Sequence, residues 1–304
     1  MSLRHATLRQ LQVFESVARQ LSFSRAAAEL HLSQPAVSMQ VKLLEGQAGM
    51  PLFERMGKKV FLTEAGAELH QHSRVIAQQL RDADEALAAR RGLSQGRLVI
   101  TMVSTAKYLV PSLLARFLKQ HPGVTVKLSA NNREVVLKQL ADNEVDLAIM
   151  GRTPEGMDAI AEPFARHPHV IIAAPGHPLA KKRRIPLARL AQETFLIREP
   201  GSGTRGLLER LFAEHRLPLN VSMEMASNET IKQAVQAGMG ISLLSLHTIE
   251  LELTTHRLVV LNVQGLPIVR DWYVVHLAAK RLSPAAQAFR AFLLSTAGKL
   301  VPEK

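Results

Sequence analysis

The apolar positions change their spacing from one segment of the chain to the next, and each spacing predicts a different element. In "TLRQLQVFESVARQL", residues 7–21, Leu11, Phe14, Val17 or Ala18, and Leu21 fall on one face of a helix. "SFSRAAAELH" reads as a second, alanine-rich helix entered through Ser22 or Ser24 as a capping residue. The break His31-Leu32-Ser33 separates it from "QPAVSMQVKLLE". Ser33 suits the N-cap of this third helix, and Pro35 is tolerated because the first helical turn has no N–H partners to lose. Val37, Val41 and Leu44 turn inward, which leaves Gln34, Ser38, Met39 and Lys42 on the opposite face. "PLFERMGKKVFLT" then reads as two short strands around Met56-Gly57-Lys58.

From Thr63 to Arg91 there is no proline, and Gly66 is the only glycine. Leu69, Ser73, Ile76, Leu80, Ala83 and Leu87 recur at spacings of four and three, the seam of a coiled coil. A helix of this length extends roughly 40 Å at 1.5 Å per residue, more than a small domain covers, so it is expected to pair two chains. "RGLSQG" after it reads as a hinge.

Strand and helix signals alternate from there on. "RLVITMV", "LVPSLLARFLKQH", "VTVKLSA", "REVVLKQLADN" and "VDLAIMG" form one β-α-β-α-β set. "TFLI", "GLLERLFAEH", "NVSMEMA", "ETIKQAVQAG" and "GISLLS" form a second. "AEPFARHPHVIIAAP" is placed to cross from one set to the other, "LVVLNV" and "WYVVHLAA" to return, and "PAAQAFRAFLLSTA" to close with a helix. Two α/β lobes joined by crossovers make a periplasmic-binding-protein-like architecture with a ligand cleft between the lobes. The expected fold class is thus α/β with an all-α-type winged helix-turn-helix domain at 1–62, a linker helix at 63–91 and a hinge at 92–95. An effector-binding domain follows at 96–304, with lobe I near 96–163 and 270–304 and lobe II near 164–269.

Composition narrows the function classes. The chain has 304 residues and no cysteine, which excludes a disulfide scaffold, a thiolate metal site and a cysteine nucleophile. No apolar run approaches the ~20 residues of a membrane span, and no signal-peptide core follows Arg4, His5 and Arg9, so a cytoplasmic, nucleoid-associated protein without a membrane partner is expected. The formal charge is +12. Residues 1–91 hold 12 basic and 9 acidic residues, and residues 92–304 hold 26 and 17, nets of +3 and +9. Charge therefore suggests a polyanionic partner without saying which half binds it.

The motifs decide. A short helix, a tight turn and a second helix with a polar N-terminal face make a helix-turn-helix, whose second helix enters the major groove of double-stranded DNA. Ser33, Gln34, Pro35, Ser38, Met39 and Lys42 are the candidate contacts on it, and Arg55, Lys58 and Lys59 on the wing suit backbone phosphates. "FSRAAAELHLSQPAVSMQVKLLE", "PLFER" and "LTEAG" together resemble the N-terminal domain of LysR-type transcriptional regulators, with Met39 where many members carry a basic residue. "QPAVSMQVKLLE" with "GKKVFLTEAG" is similar to the CbbR branch, which regulates carbon-fixation (RuBisCO) operons. The resemblance implies a dimer of dimers on an approximately two-fold symmetric promoter site, with RNA polymerase as a further partner. It implies no required cofactor, and an effector that is a phosphorylated Calvin-cycle metabolite or NADPH.

In the sensor half, helix starts that follow strands offer unpaired N–H groups to an anion. Ser104, Thr105, Arg152, Gly201, Ser202, Gly203, Thr204, Arg205 and Asn228 are the candidate effector contacts. By resemblance, Ser104, Thr105 and Thr204 fall where this family places effector-contacting hydroxyls. The stretch "GSGTRG" also spells the dinucleotide fingerprint G-x-G-x-x-G, so the alternative is an NAD-dependent oxidoreductase. Against it, the fingerprint comes after almost two hundred residues, Glu224 sits inside the next strand rather than at its end, and no catalytic His or Tyr-Lys pair stands out. A second alternative is a regulator of another metabolic operon, and a transport solute-binding protein does not fit the attached helix-turn-helix. Lys181-Lys182-Arg183-Arg184 reads as a solvated loop, and His167-Pro168-His169 and His70-x-His72 have no further ligand at metal spacing, so no metal is expected.

Overall fold

The computed structural model describes residues 3–57, 59–90 and 96–296. They divide into two compact units, Met1–Leu87 and Ala88–Lys304.

The first unit is built on α1 (Leu8–Gln20), α2 (Phe23–Leu30) and α3 (Gln34–Ala48). Each start is capped. Thr7 and Gln10 form a capping box on α1, Ser22 accepts from Arg25 N–H on α2, and Ser33 accepts from Ala36 N–H on α3. Leu21 and His31 end the first two helices in the left-handed conformation that lets the chain turn sharply. Phe14, Val17, Ala26, Val37, Val41, Leu44 and Leu52 fill the core, and Phe14 packs against Phe53 with ring centroids 5.3 Å apart. β1 (Phe53–Met56) and β2 (Lys59–Leu62) form the antiparallel wing, with Gly57 at φ +63° in its turn. Glu45 ties the wing to α3 by accepting from the N–H groups of Leu52 and Phe53. α4 (Glu64–Arg90) begins against this core: Leu69 and Ser73 are buried, and Ile76, Leu80 and Ala83 on the same seam are exposed within the single chain. Arg91 and the expected hinge at 92–95 lie outside the described residues.

The second unit has two lobes that share one seven-stranded sheet, and a separate two-stranded sheet lies in lobe II. In lobe I, β3 (Gly96–Val103) pairs in parallel with β4 (Val124–Asn131) and β5 (Leu147–Met150), with α5 (Val110–Gln120) and α6 (Arg133–Ala141) as crossovers. Thr101, Ser129, Asn131 and Gln139 hydrogen-bond to one another across this region. β6 (Ala159–Ala173) leaves lobe I and continues into lobe II. There follow α7 (Leu187–Leu190), β7 (Phe195–Arg198), α8 (Gly203–Glu214), β8 (Val221–Met225), α9 (Asn228–Gln236), β9 (Ser242–Ser245), α10 (Glu250–Thr254) and β10 (Val259–Val260). β11 (Ile268–Leu277) runs back antiparallel to β6 from His169 to Ala159, and α11 (Pro284–Thr296) closes on the lobe I core with Phe289 and Leu293.

Two expectations change in detail. "LVVLNV" forms a strand only at Val259–Val260, because Asn262 turns away to accept the N–H groups of Arg184 and Ile185. Ser104 and Thr105 do not open a regular helix: they begin a 3-10 turn, Ser104–Tyr108, and α5 starts at Val110 beyond it. Buried charges are matched. Lys280 bonds Asp146, Asn143 and the Val145 carbonyl, and Lys232 bonds Glu252, Glu229 and the Thr248 carbonyl.

Gly66 gives a direct test of how α4 meets the wing. A Cβ there would lie 1.9 Å from the Leu52 carbonyl oxygen, which already accepts Thr63 N–H and has no room to retreat. Gly66→Ala is expected to destabilise the first unit by about 3 kcal/mol. In thermal unfolding the transition of this unit should shift down while that of the second unit stays in place. An unshifted transition would contradict the close approach.

Candidate functional site

The polar face of α3 is open. Ser33, Gln34, Pro35, Met39 and Lys42 are exposed, and Ser38 is half-buried and accepts a hydrogen bond from Gln34 Nε2 at 3.1 Å. Lys59 is exposed beside the wing turn, whereas Lys58 and the Arg55 side chain lie outside the described residues. Capping fixes where α3 begins, and the buried Val37, Val41 and Leu44 fix its rotation, so one polar stripe faces outward.

The second unit contains a cavity, open to solvent, between its lobes. Lobe I contributes Ser104 and Thr105 at the end of β3, Asn131, Asn132 and Arg133 at the start of α6, and Gly151 and Arg152 after β5. Lobe II contributes Arg198 and Glu199 at the end of β7 and Ser202, Gly203 and Thr204 at the start of α8. His167 and His169 of β6 and Arg270 of β11, the strands that join the lobes, complete the lining.

Arg198 organises these parts. It is 4% exposed and donates to both Glu199 oxygens at 2.7 and 2.8 Å, to Asn228 Oδ1 at 2.5 Å, and across the cleft to Ser104 Oγ at 3.1 Å. Arg133 is held by the carbonyls of Arg152 and Thr153 at 2.8 and 2.9 Å, and Arg152 pairs with Glu155. Ser202 caps α8 without a side-chain hydrogen bond, so the N–H groups of its first turn remain for a ligand. Gly201 sits at φ +80°, a conformation that only glycine adopts without strain, and this lets the chain turn from β7 into α8.

Electrostatically the cavity is cationic and short of counter-charge. Burial, then Arg152, lowers the pKa of Arg133 from its ordinary value; burial, then Arg210, Arg152 and Arg133, lowers that of Arg270. Both guanidiniums stay charged, so each carries a cost of burial first and of mutual repulsion second, and an anion between them would offset both. Burial drives His167 well below the ordinary imidazole value, with His169, His247 and Arg270 adding to it, and burial with Arg270 pushes His169 down to about 3.

Of the sequence candidates, Ser104, Thr105, Arg152, Ser202, Gly203 and Thr204 meet in this cavity. Gly201 and Arg205 do not. They line a second, more open cavity with Arg133, Arg152, Glu209 and Arg210, where Arg205 is tied to Glu209 and Glu224. Asn228 stands behind Arg198 as its partner. Arg133, Arg198 and Arg270 escaped the sequence reading, and His167 and His169 figured there only as a metal pair short of further ligands. One signal was present: Arg198 ends a strand, Phe195–Arg198, in which every residue is buried, and a charge in such a run needs a purpose. The glycine loop lacks the packing of a dinucleotide fold. A Cβ on Gly206 would meet only the flexible guanidinium of Arg210, at 3.3 Å, so this glycine is not required for helix–strand contact.

Residues 8–67 match the family described as bacterial regulatory helix-turn-helix protein, lysR family, and residues 91–298 match the LysR substrate binding domain. The chain is 53% identical over 296 residues to a RuBisCO operon transcriptional regulator of Allochromatium vinosum, covering 97% of this chain and 98% of that one. Among solved structures, the regulatory domain of CcmR from Synechocystis PCC6803 in complex with 2-PG aligns with TM-score 0.66 and 42% identity, over 68% of this chain and 99% of that one. A full-length OxyR variant from Pseudomonas aeruginosa aligns with TM-score 0.79 and 22% identity over 99% of both chains, a likeness of fold.

The two buried imidazoles predict a pH dependence. An unfolded chain protonates them near pH 6.5, and the folded lobes resist until far lower pH, near 3 for His169. Between those values the unfolded state binds more protons, so their contribution to stability falls as pH drops below about 6.5, by up to about 1.4 kcal/mol per pH unit for each ring. The unfolding temperature of the second unit, measured from pH 7.5 to 5, should fall more steeply for the wild type than for His169→Gln. Parallel profiles would contradict a neutral His169.

Proposed function

Because the chain belongs to the LysR family of bacterial helix-turn-helix regulators, we propose that it is a DNA-binding regulator of a carbon-fixation operon, governed by a small phosphorylated anion held between its lobes. The observation that carries the effector reading is the cavity itself. Arg133, Arg152, Arg198 and Arg270 converge on the open N-terminus of α8, with one lining carboxylate, Glu199, already engaged by Arg198. CcmR, a relative 42% identical, was solved with 2-PG (2-phosphoglycolate), which makes that compound the first candidate.

In this reading Ser104, Thr105, Ser202 and Thr204 supply hydroxyls, Gly203 and its neighbours supply backbone N–H groups, and the arginines supply charge. Arg205 and Gly201 act from outside, the first by orienting α8 through Glu209 and Glu224. A ligand that touches Ser104 and Thr204 together favours one separation of the lobes over another, and the difference in affinity between the two separations is what shifts the equilibrium. On DNA, Ser33, Gln34, Pro35, Ser38, Met39 and Lys42 read the major groove while Arg55, Lys58 and Lys59 of the wing hold phosphates. The exposed Ile76, Leu80 and Ala83 of α4 fit a helix that pairs with a second copy, and a dimer of dimers on a near-symmetric promoter follows the family pattern, with RNA polymerase as the downstream partner. Among the described residues no helix is long and apolar enough to cross a membrane, in keeping with a regulator at the nucleoid.

Three outcomes test this. Titrating 2-phosphoglycolate into the full chain should raise its melting temperature and alter the footprint or bend of its promoter DNA, and an unchanged footprint at saturation would contradict effector control. Arg270→Gln should weaken 2-phosphoglycolate binding at least tenfold, about 1.4 kcal/mol, with DNA affinity kept, whereas Gln34→Ala should do the reverse. Leu80→Glu should move the sedimentation coefficient toward that of smaller assemblies, and an unaltered value would remove α4 from the interface.

A further inference from the structure

His167 is 4% exposed, and both of its ring nitrogens are buried with no hydrogen-bond partner among the described residues. Buried polar groups in folded proteins are almost always satisfied, so a ring orphaned at both nitrogens asks for an explanation. The ring is not loosely placed. It stacks on Trp272 with centroids 3.7 Å apart and planes at 17°, and it fills the space beside Gly151, where a Cβ would come within 2.6 Å of Nδ1. The ring lines the cleft with Nδ1 turned toward Gly151 and neither nitrogen open to solvent, so a group entering the cleft meets an imidazole in a fixed place.

The groups around it define its state. His169 lies on the same strand, with ring centroids 4.1 Å apart; His247 approaches from the turn after β9 at 6.2 Å; Arg270 comes from β11. The other charged groups lining the cavity are Arg133, Arg152, Arg198 and Glu199, and Glu199 is already bonded by Arg198. His169 is satisfied, since its Nδ1–H donates to the His167 carbonyl at 3.1 Å. Among the described residues no free carboxylate faces His167, so nothing favours its protonation, and it stays an uncharged ring with one N–H donor and one acceptor nitrogen.

We propose that His167 is an effector-binding residue, whose N–H donates to an oxygen of the anion held between the lobes and so fixes where that oxygen lies. The proposal rests on the anionic-effector reading above and deepens it. The arginines attract any anion of suitable size, whereas a single donor in a rigid ring selects by position, which makes His167 a determinant of specificity more than of charge. Trp272 follows as a built-in reporter. It is the only tryptophan of the chain, it is fully buried, and its stacking partner is the ring that changes hydrogen bonding when the ligand arrives.

The experiment uses the full chain with two probes, 2-phosphoglycolate and inorganic sulfate, by calorimetry and by Trp272 fluorescence. Wild type should bind 2-phosphoglycolate with a change in Trp272 emission. His167→Phe keeps an aromatic ring stacked on Trp272 but removes both nitrogens: its Kd for 2-phosphoglycolate should rise about tenfold, while its Kd for sulfate, read mainly by the arginines, should change less. Its melting temperature without ligand should be equal to or above that of wild type, since an unsatisfied group has been removed, and His167→Asn should recover part of the lost affinity. Gly151→Ala, which pushes the ring aside without changing its chemistry, should lose affinity as His167→Phe does. A His167→Phe protein that melts lower but binds 2-phosphoglycolate with wild-type Kd would overturn the proposal and leave His167 a packing residue. So would a saturated wild-type complex with unchanged Trp272 emission. If wild type binds neither probe, the anionic-effector reading itself fails, and this inference falls with it.

Discussion

The second unit depends on one buried charge. Arg198 ends a short buried strand, and a guanidinium taken out of water must find hydrogen-bond acceptors or the lobe does not close around it. It finds them in both lobes: Glu199 and Asn228 on its own side, Ser104 on the other. The same side chain thus satisfies the fold of lobe II, sets the position of the loop that leads into α8, and holds lobe I at a defined distance. Any ligand that enters the cavity meets a cation that is already fully oriented. Little reorganisation remains for binding to supply, which is how a preformed site gains affinity. A second cross-lobe link, the Tyr108 hydroxyl donating to Glu229 beside Lys107 and Lys232, restrains the lobes at another point of the cleft. Burial, then Glu229 and Glu252, raise the Tyr108 pKa, which keeps the hydroxyl protonated as a donor.

The sequence was most legible where structure is local. The caps Ser22 and Ser33, the break at His31 and the inward row Val37, Val41, Leu44 are decided within a few residues, so periodicity and cap chemistry reach them, whereas Leu21, expected on the apolar face of the first helix, instead ends it in the left-handed conformation and is exposed. The alternating strands and helices of the lobes are legible for the same reason. What local reasoning missed has a common cause. "LVVLNV" reads as a full strand, but Asn262 is claimed by Arg184 and Ile185, more than seventy residues earlier, and the strand stops at two. Thr105 follows a strand as expected, yet a 3-10 turn intervenes before α5, so its neighbours are set by tertiary packing rather than by a helix start.

The cavity was half legible. Hydroxyls and glycines at strand ends announce themselves, because a helix start after a strand offers free N–H groups that suit an anion. Its arginines do not, since Arg133, Arg198 and Arg270 lie far apart in the chain and meet only when β6 and β11 bring the lobes together. The spacing of His167-Pro168-His169 suggests at most a metal pair short of ligands. In the folded unit the two rings face the cavity and neighbouring aromatic rings, a role that spacing alone does not encode.

The shared sheet has a mechanical consequence. β6 and β11 stay paired from Ile268–His169 to Leu277–Ala159, and the ladder runs on into β5, β3 and β4 at one end and β9 and β10 at the other. Two lobes joined by loops can gape like a hinge. Lobes that share paired strands move against each other most easily by twisting those strands, because gaping would break backbone pairs in the interior, while β7 and β8 stand in a separate two-stranded sheet of lobe II. The irregular register between Trp272 and Tyr273 is where such a twist costs least, and Trp272 there bears on the cavity wall through His167. The strands that carry His167, His169 and Arg270 into the cavity are thus the same strands that hold the two lobes together.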